Sequence, residues 1–163
     1  MSTPTVITFQ GGGNYGPAAA RHLYRHLDGD PVTQLDVIAT VIRKAANLAH
    51  SYSSKVPHIA ERCIVTPSTL IGLYIGETTG TFGMSAEFIL HPATFGSEWV
   101  YTIDTDKKTI EITDEDGTPV DPYTYLDKLH DKCVQTHRES LDGSIAFLND
   151  MGYKVLPNCI EVI

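Results

Sequence analysis

A chain of 163 residues, 42% hydrophobic and 20% charged, is long enough to bury about 70% of the surface that its unfolded form exposes, so it needs no disulfide or metal to fold. Twenty acidic residues against twelve Lys and Arg give a formal charge of −8. That balance weighs against a general phosphate-backbone binder, whose affinity comes from counterions released around Lys and Arg, and favours a basic partner. Cys63, Cys133 and Cys159 lie far apart among apolar residues with no C-x-x-C spacing, which predicts reduced thiols. MSTPTVITF carries no basic n-region, and no apolar run approaches the length of a membrane span. The expectation is therefore a cytoplasmic chain with no signal peptide and no membrane contact.

In chain order, residues 6–10 predict a first strand. A glycine cluster follows, and then a short helix over Pro17–Leu27, closed by Gly29. Residues 30–53 place Val32, Leu35, Ile38, Ile42, Ala45 and Ala49 at steps of three and four, the stripe of an amphipathic helix. Asp30 suits its N-cap and Pro31 its first helical position, where the missing N–H costs nothing. The pattern then switches to period two: residues 61–66, 70–76, 85–91, 98–104 and 108–113 read as strands. The last two flank Thr105-Asp106-Lys107 as a hairpin, with Ile110 and Ile112 on one face and Glu111 and Thr113 on the other.

Asp121-Pro122 repeats the capping device and opens a second long stripe through Leu126, Leu129, Cys133, His137, Leu141, Ile145 and Leu148. Gly143 is a candidate interruption of that helix and Gly152 its C′ residue. YKVLPNCIEVI offers a closing strand that Pro157 restricts to an edge or a bent path. The expected architecture is one α+β domain over residues 1–163. It has an antiparallel meander, with two N-terminal helices and one long C-terminal helix packed on it.

The candidate ligand site is Gly11, Gly12, Gly13, Asn14, Tyr15 and Gly16. Gly11, Gly13 and Gly16 fit G-x-G-x-x-G, and the stretch resembles the phosphate loop of Rossmann-type dinucleotide-binding proteins. The resemblance covers about residues 5–28 and implies nucleotide-cofactor binding, with Asp36 falling where such families place an acid for the ribose. Asp30-Pro31 opposes it, because a helix starting there removes the second parallel strand that the fold requires. Whatever the fold, unshielded backbone N–H groups before a helix suit an anion, with Arg21 close behind. Positive φ or close backbone approach is the purely structural use of the same glycines.

Gly11-Gly12-Gly13 is also similar to the oxyanion-hole loop of patatin-like hydrolases. In such a protein the nucleophile elbow would fall at Gly76-Glu77-Thr78-Thr79-Gly80, with Thr78 attacking. Removal of Met1 would expose Ser2, whose own α-amine could serve as base in an N-terminal-nucleophile hydrolase. His22 and His26 have metal-ligand spacing but no third ligand. Asp104-Thr105-Asp106 lacks the glycine of a calcium loop. Between Asp104 and Asp121, seven acids and two lysines give a local charge of −5, a solvated loop or a docking patch for a basic protein. Together these residues predict a small acidic intracellular binding or interaction protein, without a cofactor, metal or nucleic-acid partner. Its ligand would be a small anion at the glycine loop or a basic protein. A hydrolase using Ser2 or Thr78 and a nucleotide-cofactor protein are the alternatives.

Overall fold

The computed structural model describes residues 4–11, 20–26, 28–53, 66–78, 87–89, 97 and 99–156, and the structural statements below concern these. Strands β1 (Thr5–Gln10), β2 (Arg21–Arg25), β3 (Glu87–Ile89), β4 (Trp99–Asp104), β5 (Thr109–Thr113) and β6 (Lys154–Leu156) form one sheet in the order β3-β2-β1-β4-β5-β6. Helices α1 (Pro31–Ser53) and α2 (Pro67–Thr78) lie between β2 and β3 in sequence; α3 (Asp131–Asp150) lies between β5 and β6. None of the described helices is long and apolar enough to cross a membrane.

Helix α1 forms where the sequence predicts. Asp30 accepts the N–H of Thr33 at 3.0 Å, and its carbonyl accepts the N–H of Gln34, so both faces of the cap are used. Leu35, Ile38, Ile42, Ala45 and Ala49 are buried along the expected stripe. The hairpin of β4 and β5 also stands, with Ile103 opposite Ile110 and Tyr101 opposite Ile112 on the core side. At the end of α3, Gly152 takes φ +88°. Its N–H donates to Asn149 and that of Tyr153 to Leu148, a Schellman closure.

The α+β class holds, but four details differ from the sequence reading. The sheet is mixed rather than antiparallel: β1 runs parallel to β4, and β5 to β6. Five of the six β1 residues are buried, so this strand needs a neighbour on each side, and β4 returns alongside it only after α1, α2 and β3. Residues 21–25, expected within a helix, are a strand antiparallel to β1. The alanine-rich approach to this segment favours helix, but hydrogen bonding to the buried β1 backbone overrides local propensity.

Residues 70–76, expected as a strand, belong to α2. Thr66 caps that helix, accepting the N–H of Thr69 on its hydroxyl and that of Leu70 on its carbonyl, and Pro67 occupies the first position. Leu70, Ile71, Tyr74 and Thr78 are buried at helical spacing. The second stripe is divided. Asp121 caps only a 3-10 turn over Pro122–Lys128, Leu129 turns extended, and α3 starts afresh at Asp131. Cys133 is accordingly exposed rather than in the core, and Gly143 sits within an unbroken helix. The strand expected at 61–66 lies outside the described residues except for Thr66.

One core unites these elements. Ile7, Phe9, Leu23, Tyr101, Ile103, Ile110, Ile112 and Val155 of the sheet cluster with Leu35, Ile38, Leu70, Tyr74, Leu141 and Leu148 of the helices. The opposite side of the strands carries Thr8, Gln10, His22, Tyr24, Thr102 and Asp104.

Candidate functional site

Strand alternation on β2 turns Leu23 and Arg25 to the same side, so Arg25 enters the helix-covered side of the sheet opposite Thr5 of β1. It is 2% exposed. A guanidinium there requires acceptors, because burying a charge without partners costs far more than a hydrogen bond returns. Among the described residues, Nε and Nη1 have no hydrogen-bond partner. Nη2 meets Asp28 Oδ2 at 3.5 Å, well beyond the 2.7–2.9 Å of a good charge-assisted bond, and the guanidinium lies close enough to the Tyr74 hydroxyl to lower its pKa by charge and by hydrogen bonding.

The groups around Arg25 are tied to one another by buried hydrogen bonds. Tyr74 Oη donates to Gln34 Oε1, and Gln34 Nε2 donates to the Asp28 carbonyl at 2.7 Å. Tyr101 Oη donates to the Gly29 carbonyl at 2.7 Å. The Gln34, Asp28 and Gly29 oxygens thus each already accept one bond from a tyrosine or glutamine. Burial raises the Tyr74 pKa above its ordinary 10.0, against the nearby Arg25 charge, which lowers it. Burial raises Tyr101 well above that value, and Asp30 adds to the shift. Tyr125 is raised by burial and then by Asp30 and Asp28. At neutral pH these phenols stay protonated and remain donors.

Trp99 packs edge-on to Tyr125, with ring centroids 6.4 Å apart. The result is a cluster rich in N–H and O–H donors around a buried guanidinium, at the end of the sheet where α1 begins. Such a cluster can bind and orient an oxyanion.

The glycine loop leaves β1 from its opposite end. Gly11 takes φ +109°, and a Cβ there would stand 2.3 Å from Thr105 Oγ1. Positive φ and a close approach to the β4–β5 turn both require glycine. Beside it, Asp104 accepts N–H groups of Asp106 and Lys107 on Oδ1 and the Gln10 amide on Oδ2. Gly12, Gly13, Asn14, Tyr15 and Gly16 lie outside the described residues, as does Ser2. The helix proposed to follow them is replaced over residues 21–25 by β2, which removes its dipole from the argument for an anion at this loop.

Thr78 ends a helix rather than following a strand, and its hydroxyl donates to the carbonyls of Tyr74 and Ile75. His22 Nδ1 pairs with Thr8 Oγ1, and His26 Nδ1 with Tyr24 Oη. Asp36 is exposed on α1. Nothing in the sequence marks Arg25; only the strand at 21–25, which the helix reading hid, shows that Leu23 and Arg25 share a side.

The fold is thus a mixed six-stranded sheet with helices, carrying a buried donor cluster. No protein-family model matches the chain, and no solved structure matches it. Among curated proteins it is similar to the chloroplastic outer envelope protein 80 of Pisum sativum. The two are 33% identical over 104 residues, covering 58% of this chain and 62% of the relative. The chain therefore spans less than two thirds of the curated relative it matches.

Proposed function

We propose that the protein is a binding module whose ligand presents an anionic group, carboxylate or phosphate, to Arg25. The observation that supports this reading is the buried guanidinium, whose Nε and Nη1 have no well-formed hydrogen bond among the described residues. The anionic ligand expected from the sequence is kept, and its contact moves from the glycine loop to the far end of β1. The exposed acids between Asp104 and Asp121 support a basic protein as an additional partner.

The test is thermal unfolding of the wild type and of Arg25→Met in phosphate or acetate, against chloride at matched ionic strength. A native-state ligand at a hundred times its Kd adds about 2.7 kcal/mol. Excluded salts such as phosphate also raise Tm without a site, so the difference between the two proteins is the informative quantity. A rise confined to the wild type supports the proposal, and equal rises or none overturn it.

The similarity to an outer envelope protein favours a second reading for location, a plastid outer envelope rather than the cytoplasm expected from composition. Fractionation of plant cells expressing the tagged chain separates them: recovery with envelope membranes supports the former, and recovery in the soluble cytosol the latter.

A further inference from the structure

Arg25 Nη2 pairs with Asp28 at 3.5 Å. Their side chains are 3% and 44% exposed, so the pair grades from a buried cation to a half-wet carboxylate. The Asp28 backbone is fixed. It sits at φ +60°, a conformation that Asp and Asn tolerate, and Gln34 Nε2 holds its carbonyl. The next carbonyl, Gly29, is held by Tyr101. The carboxylate has no such anchor. Its one contact with Arg25 is long, and side-chain rotation alone would carry it into water.

Resting on the anion-binding reading above, we propose that Asp28 is a resident stand-in for the ligand's anionic group, displaced from Arg25 when a carboxylate or phosphate binds. The incoming oxyanion takes Nη2, which Asp28 releases, together with the unpartnered Nε on the same edge of the guanidinium. This arrangement keeps the empty site from holding a wholly unpaired charge. It also sets a selectivity threshold, because a ligand must outcompete a tethered carboxylate. Neutral ligands gain nothing from the exchange, and ligands with stronger acceptors than a carboxylate gain most.

The experiment follows the Arg25 Nε–H resonance by NMR during titration with inorganic phosphate and, separately, acetate. It is run on the wild type, Asp28→Asn and Glu115→Gln. Asn keeps the backbone conformation and removes the competing charge; Glu115 is an exposed acid in the β5–3-10 connection and controls for net charge. The expected result is a saturable Arg25 shift in the wild type, roughly threefold tighter binding in Asp28→Asn, and no change in Glu115→Gln, as a half-exposed pair is worth little. The stronger of the phosphate and acetate arms identifies the anionic group. If the wild type responds and Asp28→Asn binds no more tightly, the displacement proposal fails while the binding reading survives. If Arg25 responds to neither ion, both fail.

Discussion

The two ends of β1 present the same backbone with opposite polar economies. At the Gln10–Gly11 end, carboxylate oxygens have N–H partners: Asp104 ties down the β4–β5 turn and the Gln10 amide, and Thr105 donates its N–H to the Gln10 carbonyl at 3.0 Å. At the Thr5–Arg25 end, about 17 Å away by strand rise, a buried cation keeps two nitrogens without a well-formed partner among the described residues. The first end is closed by its own chain and serves to hold the sheet together. The second is completed only by something brought to it. A conspicuous motif therefore accounts for local geometry at one end, whereas an ordinary-looking arginine at the other carries an unmet chemical requirement.

Four perturbations test that contrast, in decreasing order of expected effect. Gly11→Ala forces a Cβ against Thr105 at positive φ and is expected to cost about 3 kcal/mol in chemical denaturation. The response of Arg25 to anions should be unaltered, since the two ends are remote. Loss of both would break the comparison.

Tyr101→Phe leaves the Gly29 carbonyl without its buried donor, at an expected cost of about 1–2 kcal/mol at neutral pH. The wild type should also lose stability in alkali. Tyr74, Tyr101, Tyr123 and Tyr125 all titrate above 10.0 when folded, so the native state holds its phenolic protons more tightly than the unfolded chain. Their contribution is complete below pH 10.0 and declines as pH rises beyond it. The deficit of Tyr101→Phe should accordingly shrink in alkali, as read by denaturant midpoints along a pH series.

Asp30→Ala removes the α1 cap and is expected to cost about 1 kcal/mol by the same measurement. Arg25→Met is expected to be neutral or to stabilise by up to about 1 kcal/mol, because a poorly paired buried charge is exchanged for an apolar side chain of similar length. Substantial destabilisation would mean that Arg25 serves the fold, and the contrast between the two ends would vanish.

What could be read from the chain divides along physical lines. Asp30-Pro31 announced α1 because cap, proline and a 23-residue helix agree. Thr66-Pro67 is the same device, yet PSTLIGLYIGET is apolar on every side, so its spacing fits either period and its β-branched and aromatic residues pull toward strand. The parallel pairing of β1 with β4 is hidden on the β4 side, since WVYTID alternates as an antiparallel strand would, and only the nearly continuous burial of β1 betrays it. Arg25 was invisible because burial of a charged residue is decided by which strands and helices converge on it, not by its sequence neighbours.

The pairing of Thr5 with Trp99 spans 94 positions along the chain. Closing so large an excursion costs about 2 kcal/mol more than closing a ten-residue one, and nothing is recovered until both strands meet. The β4–β5 hairpin is by contrast stitched from near neighbours. During synthesis, β1 must wait for a further 94 residues before its parallel neighbour exists. A chaperone or a transient neighbour that shields Val6, Ile7 and Phe9 during that interval would govern the yield of native protein.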